Sequence, residues 1–100
     1  MRRRKRRSTE TDNPRNMKNV VPLTRLREGE SAELAYTVGG FGLVRRLAEM
    51  GLTSGVKLKV IRKGVFRGPL EIEVRGVALA LGRGVASRVY VRPVGNEPDG

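Results

Sequence analysis

The chain has 100 residues, a formal net charge of +11 and neither cysteine nor histidine. This length favours a single domain with a modest core, and no window of the sequence approaches the roughly 20 consecutive apolar residues of a membrane-spanning helix. The missing residue types exclude disulfide bonds, remove the usual protein ligands of zinc and ferrous iron, and leave most nucleophilic triads without a member.

Residues 1–19 are predicted to be a disordered basic tail. They carry eight basic and two acidic residues, and residues 2–7 are all Arg or Lys. Like charges at this density repel one another and cannot bury a core. Three interpretations stay open: a solvated extension without a role (including a translation start at Met17), adhesion to anionic lipid, or non-specific contact with nucleic-acid phosphates. Residues 95–100 are also predicted to be disordered, which leaves residues 20–94 as the domain.

The domain begins with a lead-in and a first strand. In residues 20–30 several apolar side chains can dock on a core, namely Val21, Leu23 and Leu26. Residues 31–38 are the first predicted strand, and its core face is expected to hold Ala32, Leu34, Tyr36 and Val38. Residues 39–42 (Gly39, Gly40, Phe41 and Gly42) are then predicted to form a flexible loop that enters a helix.

The helix is predicted to follow this loop, within the stretch Phe41–Gly55, and to stop at Gly51. Apolar side chains recur along it at helical spacing: Leu43, Leu47 and Met50, with Val44 and Ala48 widening the stripe. The glycine predicts a left-handed residue at position C′ of a Schellman cap, in which Leu52 contacts Leu47. Leu47, Met50 and Leu52 are therefore expected in the core.

Four further strands are predicted after the helix, over residues 56–62, 70–75, 77–81 and 88–94. Apolar and polar residues alternate in the first, second and fourth of these segments, which is typical of strands with one face in the core. Before the last strand, Gly82 and Gly84 predict a short turn, at most one turn of 3₁₀ helix. About five short strands, with one helix between strands 1 and 2, indicate a mainly β fold. Both OB and SH3-like barrels fit this count.

A resemblance to the FeoA family rests on four segments: PLTRLREGE at residues 22–30, RRLAEMGLTSG at 45–55, GPLEIEVRGVALAL at 68–81 and a closing VYV at 89–91. It covers about residues 20–94, and RLAEMGL is its most specific piece. The resemblance implies an SH3-like β-barrel in the bacterial cytoplasm. The family often has a helix-forming segment before the last strand, and Gly82 and Gly84 depart from that pattern. The basic tail lies outside the pattern.

The function that the resemblance implies is that of a non-catalytic accessory protein of ferrous-iron uptake. Such a protein would dock on a FeoB-like membrane ferrous-iron transporter, in the cytoplasm or at the inner face of the cell membrane, without a small-molecule substrate. The resemblance also implies an association with transition-metal ion binding. We do not extend it to metal ligation by this chain, because cysteine and histidine are missing. We expect no catalytic residue, metal ligand or cofactor. The remaining candidates for a hard-cation site suggest no cage by their spacing: Glu28, Glu30, Glu33, Glu49, Glu71 and Glu73.

The candidate partner-binding surface is the outer side of the helix with its entry loop: Phe41, Arg45, Arg46 and Glu49. A solvated helix face with weak ion pairing is the competing explanation for the charged residues. The alternative function is that of a basic, nucleic-acid-binding small β-barrel, which the charge permits. The four aromatic residues are scattered along the sequence, however, whereas single-strand binders usually offer stacking platforms.

Overall fold

The computed structural model describes residues 19–94, so the predicted disordered ends, apart from Asn19, lie outside the described residues. This part of the chain contains six strands: β1 (Val21–Pro22), β2 (Ser31–Thr37), β3 (Lys57–Lys63), β4 (Leu70–Val74), β5 (Val77–Leu81) and β6 (Val89–Pro93). It also contains two helices, α1 (Phe41–Glu49) and α2 (Arg83–Ala86), and two 3₁₀ segments, Leu23–Arg25 and Val65–Arg67. The prediction of a mainly β fold, with a helix between the first two long strands, is confirmed. Among these residues, no helix has the length and apolar character that crossing a bilayer requires.

The strands form one antiparallel sheet in the order β1-β6-β2-β3-β4-β5. The sheet curls so that the segment after β1 lies against the end of β3. There the Lys63 ammonium donates a hydrogen bond to the Thr24 carbonyl oxygen, 2.9 Å away. Strand β1 lies inside the predicted lead-in, and its two residues are too few to show an alternating pattern. The result is a small, partly open barrel whose edges in the described sheet are β1 and β5.

The barrel interior is filled by apolar side chains from both helices, the first 3₁₀ segment and strands β2 to β6. Alternation sets this arrangement throughout β4 and in the first half of β3, up to Val60. Beyond Val60 the pairing of β3 with β4 shifts by one residue, and Ile61 is exposed. Sixteen apolar residues of the described part are buried: Leu23, Leu26, Ala32, Leu34, Leu47, Leu52, Val56, Leu58, Val60, Leu70, Ile72, Val74, Leu81, Ala86, Val89 and Val91.

A β-bulge in β2 changes which side chains face the core. Leu34 pairs with Val91 and Tyr36 pairs with Tyr90, so Ala35 is an extra residue in the ladder. One extra residue moves the following side chains to the opposite face of the sheet. The expectation that Tyr36 and Val38 face the core is therefore wrong, and both side chains are exposed. The Tyr36 ring instead stacks on Tyr90, with centroids 5.1 Å apart.

The end of α1 has the predicted Schellman cap. Gly51 has a φ of 92°, the Leu52 N–H donates to the Leu47 carbonyl oxygen, and the Gly51 N–H donates to that of Ala48, each at 2.9 Å. Leu47 and Leu52 are both 3% exposed, so the predicted contact pair lies in the core. Met50 is 37% exposed, which corrects its predicted place in the core. It lies at the C-cap, and the chain turns back so that Leu52 takes the core position instead.

The segment before β6 forms a short α-helix, although Gly82 and Gly84 predicted a looser turn. In α2 the Ala86 N–H donates to the Gly82 carbonyl oxygen and the Ser87 N–H donates to that of Arg83, both at 2.9 Å. These are α-helical hydrogen bonds, so the prediction of at most a 3₁₀ turn is wrong. Ala86 is fully buried. Packing of this side chain into the core outweighs the low helix propensity of Gly84.

The loop between β3 and β4, residues 64–68, is held in shape by its own backbone. The Gly64 N–H donates to the Pro69 carbonyl oxygen at 2.8 Å, and the Gly68 N–H donates to that of Val65 at 2.9 Å. A Cβ atom on Gly64 would lie 2.8 Å from the Pro69 oxygen, so this close approach requires glycine. Phe66 and Arg67 both have positive φ, 53° and 63°, which L-residues adopt at a cost.

The Schellman cap predicts opposite effects for alanine at two glycines of the α1 region. Gly51→Ala is expected to lower the free energy of unfolding by about 1 kcal/mol, because alanine resists the left-handed conformation. The added Cβ would come no closer than 4.0 Å to Val74 among the described residues, so a steric clash is not the cause. Gly42→Ala, inside α1, is the matched control and is expected to raise stability by up to about 1 kcal/mol. Urea denaturation measures both values, and equal effects would contradict the cap.

The positive φ of Arg67 predicts a stabilising substitution. Arg67→Gly removes the left-handed strain and is expected to raise the free energy of unfolding by about 0.5–1 kcal/mol, after the larger chain entropy of glycine is counted. Arg67→Ala keeps a Cβ at the same backbone conformation and serves as the control. Thermal and urea denaturation of the three proteins test this, and a gain for Arg67→Ala equal to that for Arg67→Gly would argue against backbone strain.

Candidate partner-binding surface

The entry to α1 places Phe41 in solvent. Gly40 is the N-cap residue, and its carbonyl oxygen accepts hydrogen bonds from the N–H groups of Leu43 and Val44, each at 3.1 Å. Phe41 is the first residue of the helix and is 79% exposed. The side chain does not fold back onto the barrel, and the helix starts two residues earlier than the predicted entry loop 39–42 allowed. An exposed aromatic side chain of this size is the kind of anchor that protein interfaces use.

Arg45 and Glu49 form an ion pair one turn apart on α1. The Arg45 Nε lies 3.7 Å from the Glu49 Oε2, and both side chains are 68% exposed. This separation is too long for a hydrogen bond, and the order Arg then Glu is the weaker one for an i, i+4 pair. The pair therefore contributes little to folding and leaves both charges available to a partner.

The four predicted site residues do not share a single stripe on the helix. Phe41, Arg45 and Glu49 follow one another at i, i+4 and i+8, so they line one side of α1. Arg46 is exposed as well, but it lies about 100° further round the helix than Arg45. The structure thus brings three of the predicted residues together and places Arg46 on the adjoining side.

An apolar groove next to this stripe was missed by the sequence analysis. It has a volume of about 290 Å³, and α1 contributes Val44 and Ala48 to one wall. The other lining residues are Leu34, Tyr36, Thr37, Leu52, Thr53 and Ser54. Val44 was taken only as a widening of the apolar stripe and Tyr36 as a core residue, yet they are 40% and 38% exposed. The breadth of the apolar stripe on α1 was the one sequence signal that could have indicated this groove.

The acidic side chains are dispersed around the barrel. Of the six glutamates within residues 19–94, five have basic residues or backbone N–H groups as partners: Glu28 with the N–H of Lys63, Glu30 with the N–H of Arg27, Glu33 with Arg92, Glu49 with Arg45 and Glu71 with Arg62. Within residues 19–94, no three acidic side chains lie close enough to hold a metal ion. The chemistry that this surface offers is therefore apolar contact with a charged rim.

Comparison with known proteins places the chain in a family. The FeoA domain model matches residues 21–93. The "Putative Fe(2+) transport protein A" of Methanocaldococcus jannaschii is 40% identical over 72 residues, which cover 72% of this chain and 85% of that protein. The crystal structure of an iron uptake regulatory protein (FeoA) matches with a TM-score of 0.68 at 37% identity, covering 75% of this chain and 97% of that one. The solution structure of the FeoA protein from Chlorobium tepidum matches with a TM-score of 0.71 at 30% identity, covering 77% and 73%.

These matches span nearly all of the described residues. They confirm the resemblance that the sequence segments indicated. The chain belongs to the FeoA family and has its SH3-like fold.

Proposed function

We propose that this protein is a non-catalytic accessory component of ferrous-iron uptake, which docks on the cytoplasmic part of a FeoB-like membrane transporter. The docking surface consists of Phe41, Arg45 and Glu49, the neighbouring apolar groove and, on the adjoining side of α1, Arg46. The family and the Fe(2+) transport description of the 40% identical relative support the iron-uptake setting. Iron is then the cargo of the transporter, and this chain acts in the cytoplasm by contact alone.

The observation that carries the proposal is the 79% exposure of Phe41 beside a groove of about 290 Å³. Tyr36 and Val44 extend the apolar area on the groove side, while Arg45 and Glu49 provide a charged rim. Interfaces have this organisation, with aromatic and aliphatic anchors at the centre and charges around them. Docking of this kind regulates a transporter only if the protein binds two transporter states with different affinity.

A nucleic-acid-binding role is less well supported. The Tyr36 and Tyr90 rings stack on each other, so each has one face covered. Phe41 and Phe66 lie at the start of α1 and in the β3–β4 loop, two separate parts of the fold. A single-stranded nucleic acid usually requires successive aromatic platforms along a basic groove. Oligonucleotide binding that depends on residues 20–94 would revive this alternative.

The exposed ring of Phe41 is predicted to dominate binding to the transporter. Phe41→Ser is expected to weaken binding to the purified cytosolic domain of the FeoB-like transporter by more than about tenfold, as truncation of an interface anchor typically does. Isothermal titration calorimetry measures the dissociation constant. Phe66→Asn is the matched control, because it removes a second exposed aromatic ring at another place in the fold. Equal losses for both variants would indicate a non-specific hydrophobic effect and contradict the proposed surface.

Exchange of the ion pair separates binding from stability. The double variant Arg45→Glu/Glu49→Arg keeps an i, i+4 pair in its more favourable order, so the free energy of unfolding should change by less than about 0.5 kcal/mol. Binding to the cytosolic domain should nevertheless weaken roughly tenfold, because the charge pattern is inverted. Stopped-flow association and urea denaturation give the two readouts. Unchanged binding, here and for the double reversal of Arg45 and Arg46 to Glu, would remove the charged residues from the surface.

A further inference from the structure

The β3–β4 loop exposes two adjacent apolar side chains. Phe66 is 97% exposed and Val65 is 76% exposed, and Phe66 is the most exposed large hydrophobic residue in the described part of the chain. A side chain that is this open gains no burial on folding, so it contributes nothing to the core. The proposed transporter contact also leaves it unused, because the loop is not part of the α1 surface.

The backbone of this loop fixes the outward position of Phe66. The Gly64–Pro69 and Gly68–Val65 hydrogen bonds close the loop, and the close approach at Gly64 leaves no room for a Cβ. Phe66 itself adopts a left-handed conformation, with φ 53° and ψ 41°. Such strain persists where the surrounding structure enforces it, and it concentrates at positions with a function. The ring is therefore presented on a defined, protruding turn.

The charge around the loop is basic. Residues 61–70 contain Arg62, Lys63 and Arg67 and no acidic residue. Arg67, next to Phe66, is exposed, whereas Arg62 lies 3.6 Å from Glu71 and the Lys63 ammonium donates a hydrogen bond to the Thr24 carbonyl oxygen. Arg67 is therefore the cation of this loop that faces solvent most openly. The other carboxylate at this end of β3 is Glu28, which accepts a hydrogen bond from the Lys63 N–H. The domain as a whole has thirteen basic and six acidic residues between positions 20 and 94, so the loop belongs to a cationic body.

We propose that residues 64–68 insert Val65 and Phe66 into the surface of an anionic lipid bilayer. Aromatic rings favour the headgroup region, apolar side chains favour the acyl boundary, and the exposed Arg67 is attracted to acidic headgroups. Two adjacent apolar side chains this exposed, beside a cation on a basic domain, match the chemistry of an anionic bilayer surface. Stable attachment takes two weak signals, and the basic block at residues 2–7 supplies a second electrostatic attraction.

Tryptophan fluorescence tests insertion directly, because the chain has no tryptophan of its own. Full-length Phe66→Trp is expected to show a blue shift with vesicles of phosphatidylcholine and phosphatidylglycerol, and quenching by brominated lipid. Phe41→Trp, with a similarly exposed ring on α1, is the matched control and should show neither change. An unchanged emission spectrum for Phe66→Trp in the presence of vesicles, or identical changes for both variants, would overturn the proposal.

Vesicle co-sedimentation measures the strength of the contact. Phe66→Asn should lower the affinity for the anionic vesicles about tenfold, and Arg67→Gln about fivefold. Asparagine tolerates the left-handed conformation at position 66, and glutamine at position 67 keeps an unbranched polar side chain. Both variants are therefore expected to keep the fold, which thermal denaturation verifies. Every variant keeps residues 1–19, so their contribution to vesicle affinity is the same in all of the proteins compared. Wild-type affinity for Phe66→Asn, or no binding of the wild-type chain, would refute insertion. A Phe66→Asn variant that loses the transporter domain but keeps the vesicles would instead assign the loop to a protein partner.

Discussion

The short helix α1 is held on the barrel by few side chains, and its exposed surface follows from this. Within the helix, the partly buried Leu43 packs against the core beside Leu47. Leu47 is the buried residue within the helix, and Leu52 joins it in the core across the Gly51 turn. A nine-residue helix would be marginal by itself, so the cap and these two side chains hold it against the sheet. Because so little of α1 is buried, Phe41, Val44 and the Arg45–Glu49 pair remain exposed.

Two exposed surfaces of different composition lie on α1 and on the 64–68 loop. The α1 surface combines a groove, lined on one side by Val44 and Ala48, with the exposed Phe41 and the Arg45–Glu49 pair on the neighbouring side of the helix. The 64–68 loop exposes Val65 and Phe66, with the exposed Arg67 beside them. The first surface supports the proposed contact with a transporter, and the second supports the proposed contact with the bilayer around it.

Much of the fold could be predicted from the sequence, because its main signals are local. The alternation in β3 and β4 and the glycine that ends α1 act over a few residues, and the structure reproduces both. The bulge at Ala35 depends on the partner strand β6, and α2 depends on the burial of Ala86, so neither could be read locally. The exposure of Arg45, Arg46 and Glu49 was predictable from helical spacing, whereas that of Phe41, expected in the entry loop, was not. The groove was not, because the bulge turns Tyr36 away from the core.

The pairing of β2 with β6 has a consequence for the order of assembly. Tyr36 and Tyr90 are paired partners that lie 54 positions apart in the chain, whereas β3, β4 and β5 are consecutive neighbours. Local contacts form early, and contacts between distant segments wait for the loop entropy to be overcome. During synthesis, β6 also leaves the ribosome after the other five described strands. The bulge at Ala35, and with it one wall of the α1 groove, therefore forms only after β6 has emerged and paired with β2.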